Sequence, residues 1–325
     1  MTLKIQSKPF FIHRIFDDFD ELTEEARHWD LDFRQLENGN FRGQLLQFST
    51  NRTVLAHARF NRTLLQQGTP PAGMRTFAIP ARPHRCFEWR RRTISDNDVL
   101  IFPTGGELHS ISRADFDIFT YSFTEERLEQ ICRELEIPAF LESLNGVEVV
   151  TCPPAQIAHV RAKLSRLCNT VKAHPDRLNC PFVKYELEHE FLGDLVKLIA
   201  ASRSSSKCDA PGRRKHAIKQ VEDYVFQHSN QPVMVHELCH AAKVSERTLE
   251  YAFREQYGMT PKAFVKAIRL NGVRRELRSQ ISKREKINEI AGHWGFWHMG
   301  QLAADYRRLF DELPSATLSR RRSGT

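Results

Sequence analysis

The sequence predicts an α+β protein: a strand-rich N-terminal body with trailing helices, then an all-helical C-terminal domain. Three observations carry this expectation. Short apolar runs separated by turn formers fill residues 1–123. After residue 124 apolar positions recur at three- and four-residue spacing, the period of an amphipathic helix. A stretch rich in Ser, Pro and Gly, residues 201–214, coincides with a change of charge.

In order along the chain, residues 43–48, 75–79, 98–102 and 117–123 read as strands. Asn38-Gly39, Pro70-Pro71 and Gly105-Gly106 are turn signals between such runs. Many short strands at this spacing predict a small barrel or sandwich. Residues 124–136 place Leu128, Ile131, Cys132 and Leu135 on one helix face. Residues 154–171 and 181–200 read as two further helices, the second with Phe182, Tyr185, Leu187, Phe191, Leu195, Leu198 and Ile199 at its apolar positions. The expected domains are 1–200 and 215–318, with 201–214 as linker. The second domain is broken at Gln231-Pro232, Gly258, Gly295 and Pro314.

Charge divides the 325 residues the same way. Residues 211–325 hold 21 Lys+Arg and 12 Asp+Glu, a net +9, whereas the rest carries −1. A basic module on a near-neutral body points to a polyanion as its partner, against a merely solvated basic surface. The composition, 41% hydrophobic and 27% charged, excludes a disordered or fibrous chain. No apolar run approaches the roughly 18–20 residues of a membrane span. The N-terminus lacks the pattern of a signal peptide. The seven scattered cysteines, none in a C-x-x-C pair, favour reduced thiols. The expectation is a cytoplasmic protein with no membrane segment.

The strongest local pattern is VHELCHAAKVSERTLEYAFR, residues 235–254. Leu238, Cys239 and Ala242 form the inner face of a short helix, Val244 plugs a turn, and Ser245 is placed to cap the next helix. Leu249 and Phe253 bury that second helix, leaving Glu246, Arg247, Glu250, Tyr251 and Arg254 outward. A short helix, a tight turn and a capped helix with a polar outer face is the helix-turn-helix arrangement, with a plain helical hairpin as the alternative. A weaker second copy occupies 286–310. There Ile287, Ile290 and Ala291 face inward, Gly295 permits a left-handed turn, Phe296 plugs it, and Leu302, Tyr306 and Phe310 repeat every four residues. Between the copies, residues 261–277 read as one helix opened by a proline.

The segments YGMTP (257–261), RLNGVRREL (269–277), Ile290-Ala291 with Gly295-Phe296, and Phe310 with Pro314 together resemble the AraC/XylS transcription regulators. That resemblance implies two helix-turn-helix units joined by a long helix. It also implies an N-terminal cupin-like β-barrel with dimerisation helices that senses an effector. The implied partners are a double-stranded DNA operator, a small-molecule effector and a second copy of the chain, with RNA polymerase as a further candidate and no cofactor. The family's base-directed positions correspond to Arg247, Glu250 and Tyr251 in the first unit and to Gly300, Ala303 and Ala304 in the second. Arginine pairs with guanine, glutamate accepts from cytosine N4, and tyrosine packs on a thymine methyl. Ser245, Thr248 and Arg254 lie nearer the phosphates. In the second unit His298, Gln301, Arg307 and Arg308 suit backbone positioning, and Met299 offers an apolar contact. Two departures stand out: Asp311 replaces a usual glycine at a helix end, and His298 replaces a usual serine.

Two other readings are open to the sequence. His236-Glu-Leu-Cys-His240 matches the H-E-x-x-H zinc pattern of a hydrolase, without the third ligand that pattern requires. A basic helical module that binds protein or RNA is the other. His84, Cys86 and His109 outline a weak metal constellation, and the Arg90–Arg92 cluster a weak anion site. Asn51-Arg-Thr53 and Asn61-Arg-Thr63 match the glycosylation pattern, or mark a small repeat across a hairpin.

Overall fold

Strands dominate the first 124 residues of the computed structural model, which describes residues 9–83, 87–90, 92–204, 213–229, 231, 233–279 and 286–323. They are β1 (Phe11–Phe16), β2 (Asp30–Gln35), β3 (Gly43–Ser49), β4 (Thr53–Phe60), β5 (Leu64–Thr69), β6 (Met74–Pro80), β7 (Phe87–Trp89), β8 (Arg92–Ile94), β9 (Asp98–Phe102), β10 (Leu108–Ile111) and β11 (Phe116–Thr124). A short helix, α1 (Phe19–Glu25), interrupts them. After β11 come α2 (Glu125–Glu134), α3 (Ala139–Ser143), β12 (Val149–Thr151), α4 (Pro154–Ala173), α5 (Pro181–Tyr185), α6 (Phe191–Ala201) and β13 (Arg203–Ser204). The two Asn-Arg-Thr triplets begin in the turns at either end of β4.

These strands form an antiparallel sheet of eight, in the order β1-β3-β4-β11-β6-β9-β12-β13, and a second sheet of five, β2-β5-β10-β7-β8. The expected closed barrel is therefore two open sheets, each ending in its own edge strands.

The large sheet is covered on both faces, which explains why its strands read as continuous apolar runs. Successive side chains on a strand point to opposite faces. In β11, Phe119, Tyr121 and Phe123 join Leu128 and Ile131 of α2, Leu164 of α4 and Leu195 of α6 in one core. Phe116, Ile118 and Thr120 of the same strand face the small sheet. Between the sheets lies a small apolar cavity of about 80 Å³, walled by both of them.

Residues 181–201 depart from the single expected helix. A π turn, Glu186–Glu190, separates α5 from α6. Val183, Leu187 and Phe191 are buried at strict four-residue spacing. An α-helix drifts about 40° over each such step, and one wider turn keeps the three on a single face. The turn is fixed from outside: the Tyr121 hydroxyl donates to the Leu187 carbonyl at 2.5 Å, and Arg127 Nε donates to that of Glu188 at 2.7 Å. The shifted register leaves Phe182 and Tyr185, two of the expected inner residues, 68% and 51% exposed.

The chain divides into two compact units. One comprises Met1–Phe33, Arg42–Asn61 and Gln66–Asp209; the other comprises Arg34–Phe41, Arg62–Leu65 and Ala210–Thr325. In the second unit the helices are α7 (Arg213–Gln227), α8 (Val235–Ala242), α9 (Glu246–Tyr257), α10 (Pro261–Arg278), α11 (Ile287–His293), α12 (Met299–Phe310) and α13 (Pro314–Ser323). Phe264, Val265, Ile268, Leu270, Val273 and Leu277 of α10 are all buried. Asn271, Gly272 and Arg274 are buried too, and with only Lys262, Lys266 and Arg275 exposed the helix is an internal strut. At 18 residues it runs about 27 Å.

Candidate nucleic-acid interface

Both pairs α8–α9 and α11–α12 turn by the same device. In the first, Val244 N–H donates to the Cys239 carbonyl at 3.1 Å and Lys243 N–H to that of His240 at 3.2 Å. In the second, Phe296 N–H donates to Ala291 at 2.9 Å and Gly295 N–H to Gly292 at 2.9 Å. This 6→1 and 5→2 pattern needs a left-handed residue at the hinge. Gly295 supplies it at φ 72° without strain, whereas Lys243 adopts φ 51° despite its side chain. Leu238, Ala242, Leu249 and Phe253 are buried as expected, while Cys239 and Val244 are only partly so.

α9 begins as the sequence predicts. Ser245 Oγ accepts from Thr248 N–H at 3.3 Å and lies 2.9 Å from the Thr248 hydroxyl. Ser245, Arg247, Tyr251 and Arg254 are exposed, with Thr248 and Glu250 partly so. The Arg247 guanidinium sits 5.7 Å over the Tyr251 ring. Arg214, His240, Lys243, Ser245 and Thr248 line a shallow concavity beside this helix start.

α12 is built differently. His298 occupies its N-cap with no side-chain hydrogen bond to the backbone. His298, Met299, Gln301, Arg307 and Arg308 are exposed, and Trp297 stands 75% exposed beside them. Buried Asp305 gathers Lys266 Nζ at 3.0 Å, Gln301 Nε2 at 3.0 Å and Arg308 Nη1 at 3.5 Å. Burial alone would raise this carboxyl. The hydrogen bonds from Gln301 and Lys266 and the charges of Lys266 and Arg308 outweigh that and hold it below its ordinary value. Lys266 thereby ties α12 to the strut.

Two residues of α10, Gly272 and Arg269, make contacts that escaped sequence reasoning. Gly272 lies against the Trp294 indole, whose Nε1 donates to Glu276 at 2.7 Å. Arg269 donates to the Gln231 carbonyl at 2.6 Å and stacks at 5.9 Å on Phe296. Both residues lie inside RLNGVRREL, so the signal was present, but the motif does not say what each one touches.

The zinc reading finds no support here. The Glu237 carboxylate, its would-be base, accepts from Met234 N–H at 2.6 Å as part of a helix cap. Burial, and then nearby Glu246, push the Cys239 thiol up, away from a ligating thiolate. Of the weaker constellations, His84, Cys86 and Arg91 lie outside the described residues.

A helix-turn-helix domain family matches residues 238–320. A probable AraC family transcriptional regulator from Rhodopseudomonas palustris CGA009 is 33% identical, over 32% of this chain and 96% of that one, with a TM-score of 0.31. Over its last third, the chain belongs to the AraC/XylS family. A "Probable thc operon regulatory protein" of Rhodococcus erythropolis is 34% identical over 101 residues, 31% of this chain and 30% of that protein. "XylDLEGF operon transcriptional activator 3" of Pseudomonas putida is 31% identical over 106 residues, 33% of this chain and 32% of that protein. The match thus spans about a third of these curated relatives' length.

One departure from the family pattern has a measurable consequence. Asp311 closes α12 at φ 60°, the left-handed conformation expected for the glycine it replaces. Asp311→Gly is expected to stabilise the chain by about 0.5–1 kcal/mol, read as a higher midpoint in urea at unchanged slope. An unchanged or lower midpoint would refute strain at this position.

Proposed function

We propose that the chain is a sequence-specific DNA-binding transcription activator that answers to a small molecule. The observation that carries this is the pair of helix-turn-helix units, each built on the same hinge, in the last third of the chain, which holds the whole basic excess. The first unit reads base edges through Arg247, Glu250 and Tyr251, with Ser245, Thr248 and Arg254 against phosphate. The concavity at Arg214, Lys243 and Ser245 suits a phosphate oxygen. The second unit positions the duplex backbone through His298, Gln301, Arg307 and Arg308, with Met299 as an apolar contact. No step requires catalysis or a cofactor. Activation is carried over from the Pseudomonas putida transcriptional activator, and RNA polymerase is its natural partner. The setting is the cytoplasm, with the domain boundary at 201–214.

Selection of bound duplexes from a random pool tests the reading. Full-length protein is expected to enrich one sequence motif, with affinity falling by about 0.9 log unit per log unit of salt for each phosphate contacted. Enrichment without a motif overturns it.

The chain acts as a homodimer through the helices of residues 154–200. Phe182 and Tyr185, large and exposed on α5, support this surface. Phe182→Glu with Tyr185→Glu is expected to convert a sedimenting dimer to monomer. A wild-type chain that already sediments as monomer sinks the proposal.

A further inference from the structure

Charged side chains replace apolar ones at one end of the large sheet, on the face that carries the helices. Phe119, Tyr121 and Phe123 of β11 share a core with α2 and α6, and Asp117 precedes them on the same face. The register sets Asp117 opposite Arg59, Arg59 opposite Gln44 and Gln44 opposite Ile15, one row across four strands. Arg42 and Asn61 stand two residues further on, and Arg82 follows the end of β6. These residues line an open concavity of about 470 Å³, wholly within the first unit. The apolar cavity between the sheets lies on the opposite face.

A buried carboxylate organises the concavity. Asp117, its side chain only 3% exposed, holds Oδ1 at 2.6 Å from His57 Nε2. Its Oδ2 lies 2.8 Å from Arg82 Nε and 3.6 Å from Arg59 Nε. Taking two guanidiniums by Nε fixes both planes and leaves their terminal amino groups for another acceptor. Those two arginine side chains remain 54% and 42% exposed. The backbone of Arg42 is held from both directions: its N–H donates to Asn61 Oδ1 at 2.7 Å, and its carbonyl accepts from Asn61 N–H at 3.1 Å. Its guanidinium is exposed and pairs with no carboxylate among the described residues. Three guanidiniums thus meet two carboxylates, Asp117 and Asp115, which leaves one positive charge in excess.

Guanidiniums bind phosphate and carboxylate oxygens through paired N–H donors. Three of them around one space favour a group with three terminal oxygens. A phosphomonoester has three, whereas a carboxylate or a phosphodiester has two. The concavity is also larger than phosphate alone requires, and Ile15, exposed at its edge, offers an apolar wall. We infer that this end of the sheet is a binding site for a small organic phosphomonoester, held by Arg42, Arg59 and Arg82. The site stands apart from the nucleic-acid reading and rests on none of it.

Calorimetry on the full-length protein tests it with phenyl phosphate, benzoate and dimethyl phosphate, the last a diester like a nucleic-acid backbone. Phenyl phosphate is expected to bind about tenfold or more tighter than either. Arg59→Gln and Arg82→Gln are each expected to weaken it about tenfold. Arg42→Gln should do the same, and shortening an exposed side chain with no carboxylate partner leaves the fold intact. Lys243→Gln, in the nucleic-acid interface, and Arg133→Gln, exposed on α2, should leave phenyl phosphate binding unchanged. Absence of phenyl phosphate binding overturns the site, as does affinity that Lys243→Gln removes and the three arginine changes spare. Benzoate or dimethyl phosphate binding as tightly as phenyl phosphate overturns the ligand class.

Discussion

Replacing Gly272 by alanine is expected to destabilise the C-terminal unit by about 1–3 kcal/mol. In an exposed helix the same change gains about 1 kcal/mol, because glycine is the costlier residue there. The sign reverses here because α10 has no room. A Cβ at Gly272 falls 2.2 Å from two Trp294 ring carbons and 2.4 Å from a third. That ring cannot simply rotate away, since its Nε1 is held by Glu276 at 2.7 Å and its backbone closes α11. The overlap is relieved by pushing α11 off the strut, which displaces the second helix-turn-helix. Urea unfolding should show the loss of stability, and operator affinity should fall with it. Trp294→Ala in the same chain should recover part of the loss, giving a coupling energy of opposite sign. If Gly272→Ala raised stability, the close approach of α10 and Trp294 would be wrong.

Arg247→Ala is expected to weaken binding to the selected operator by about 1–3 kcal/mol and to relax preference at one or two base positions. The side chain is exposed at the start of α9, and among the described residues it rests on the Tyr251 ring, itself 54% exposed. Truncation therefore removes little that the fold needs. Arg308 differs in kind, since it leans on Asp305 at 3.5 Å and sits in the last turn of α12. Arg308→Ala should weaken all sequences alike and lower the salt slope by about one. Both variants are titrated against the operator and its single-base changes. A uniform loss for Arg247→Ala with altered base preference for Arg308→Ala would reverse the proposed division of labour.

Much of this was legible in the sequence where a local rule decides the structure. Ser245 caps α9 because a hydroxyl before an apolar-periodic segment has few better uses, and Gly295 and Asp311 mark helix ends that turn left-handed. The runs at 43–48, 75–79, 98–102 and 117–123 appear as β3, β6, β9 and β11, since all four lie in the large sheet and are mostly buried on both faces. Strands such as β2 and β5 carry mixed or polar outer positions and offer no such run. Lys243 was not legible as a left-handed residue, because nothing local favours lysine there; the hinge imposes it. The π turn depends on Tyr121 and Arg127, some sixty residues upstream. Gln66 Nε2 and Trp89 Nε1, buried without a hydrogen-bond partner, show the same limit from the other side. Which donors remain unpaired depends on everything folded around them, so no spacing announces it.

The two-faced sheet also bears on how such a protein changes over generations. Along β11 the residues at even positions from 116 to 120 meet the cavity, and the odd ones from 119 to 123 meet the helices. The pleat thus separates two inheritable properties within a single strand. A substitution at Ile118 alters what the cavity admits without touching the packing that holds α2 and α6. One at Phe119 does the reverse. Changes to the cavity wall can therefore accumulate one residue at a time, while the scaffold that supports the helices is inherited intact.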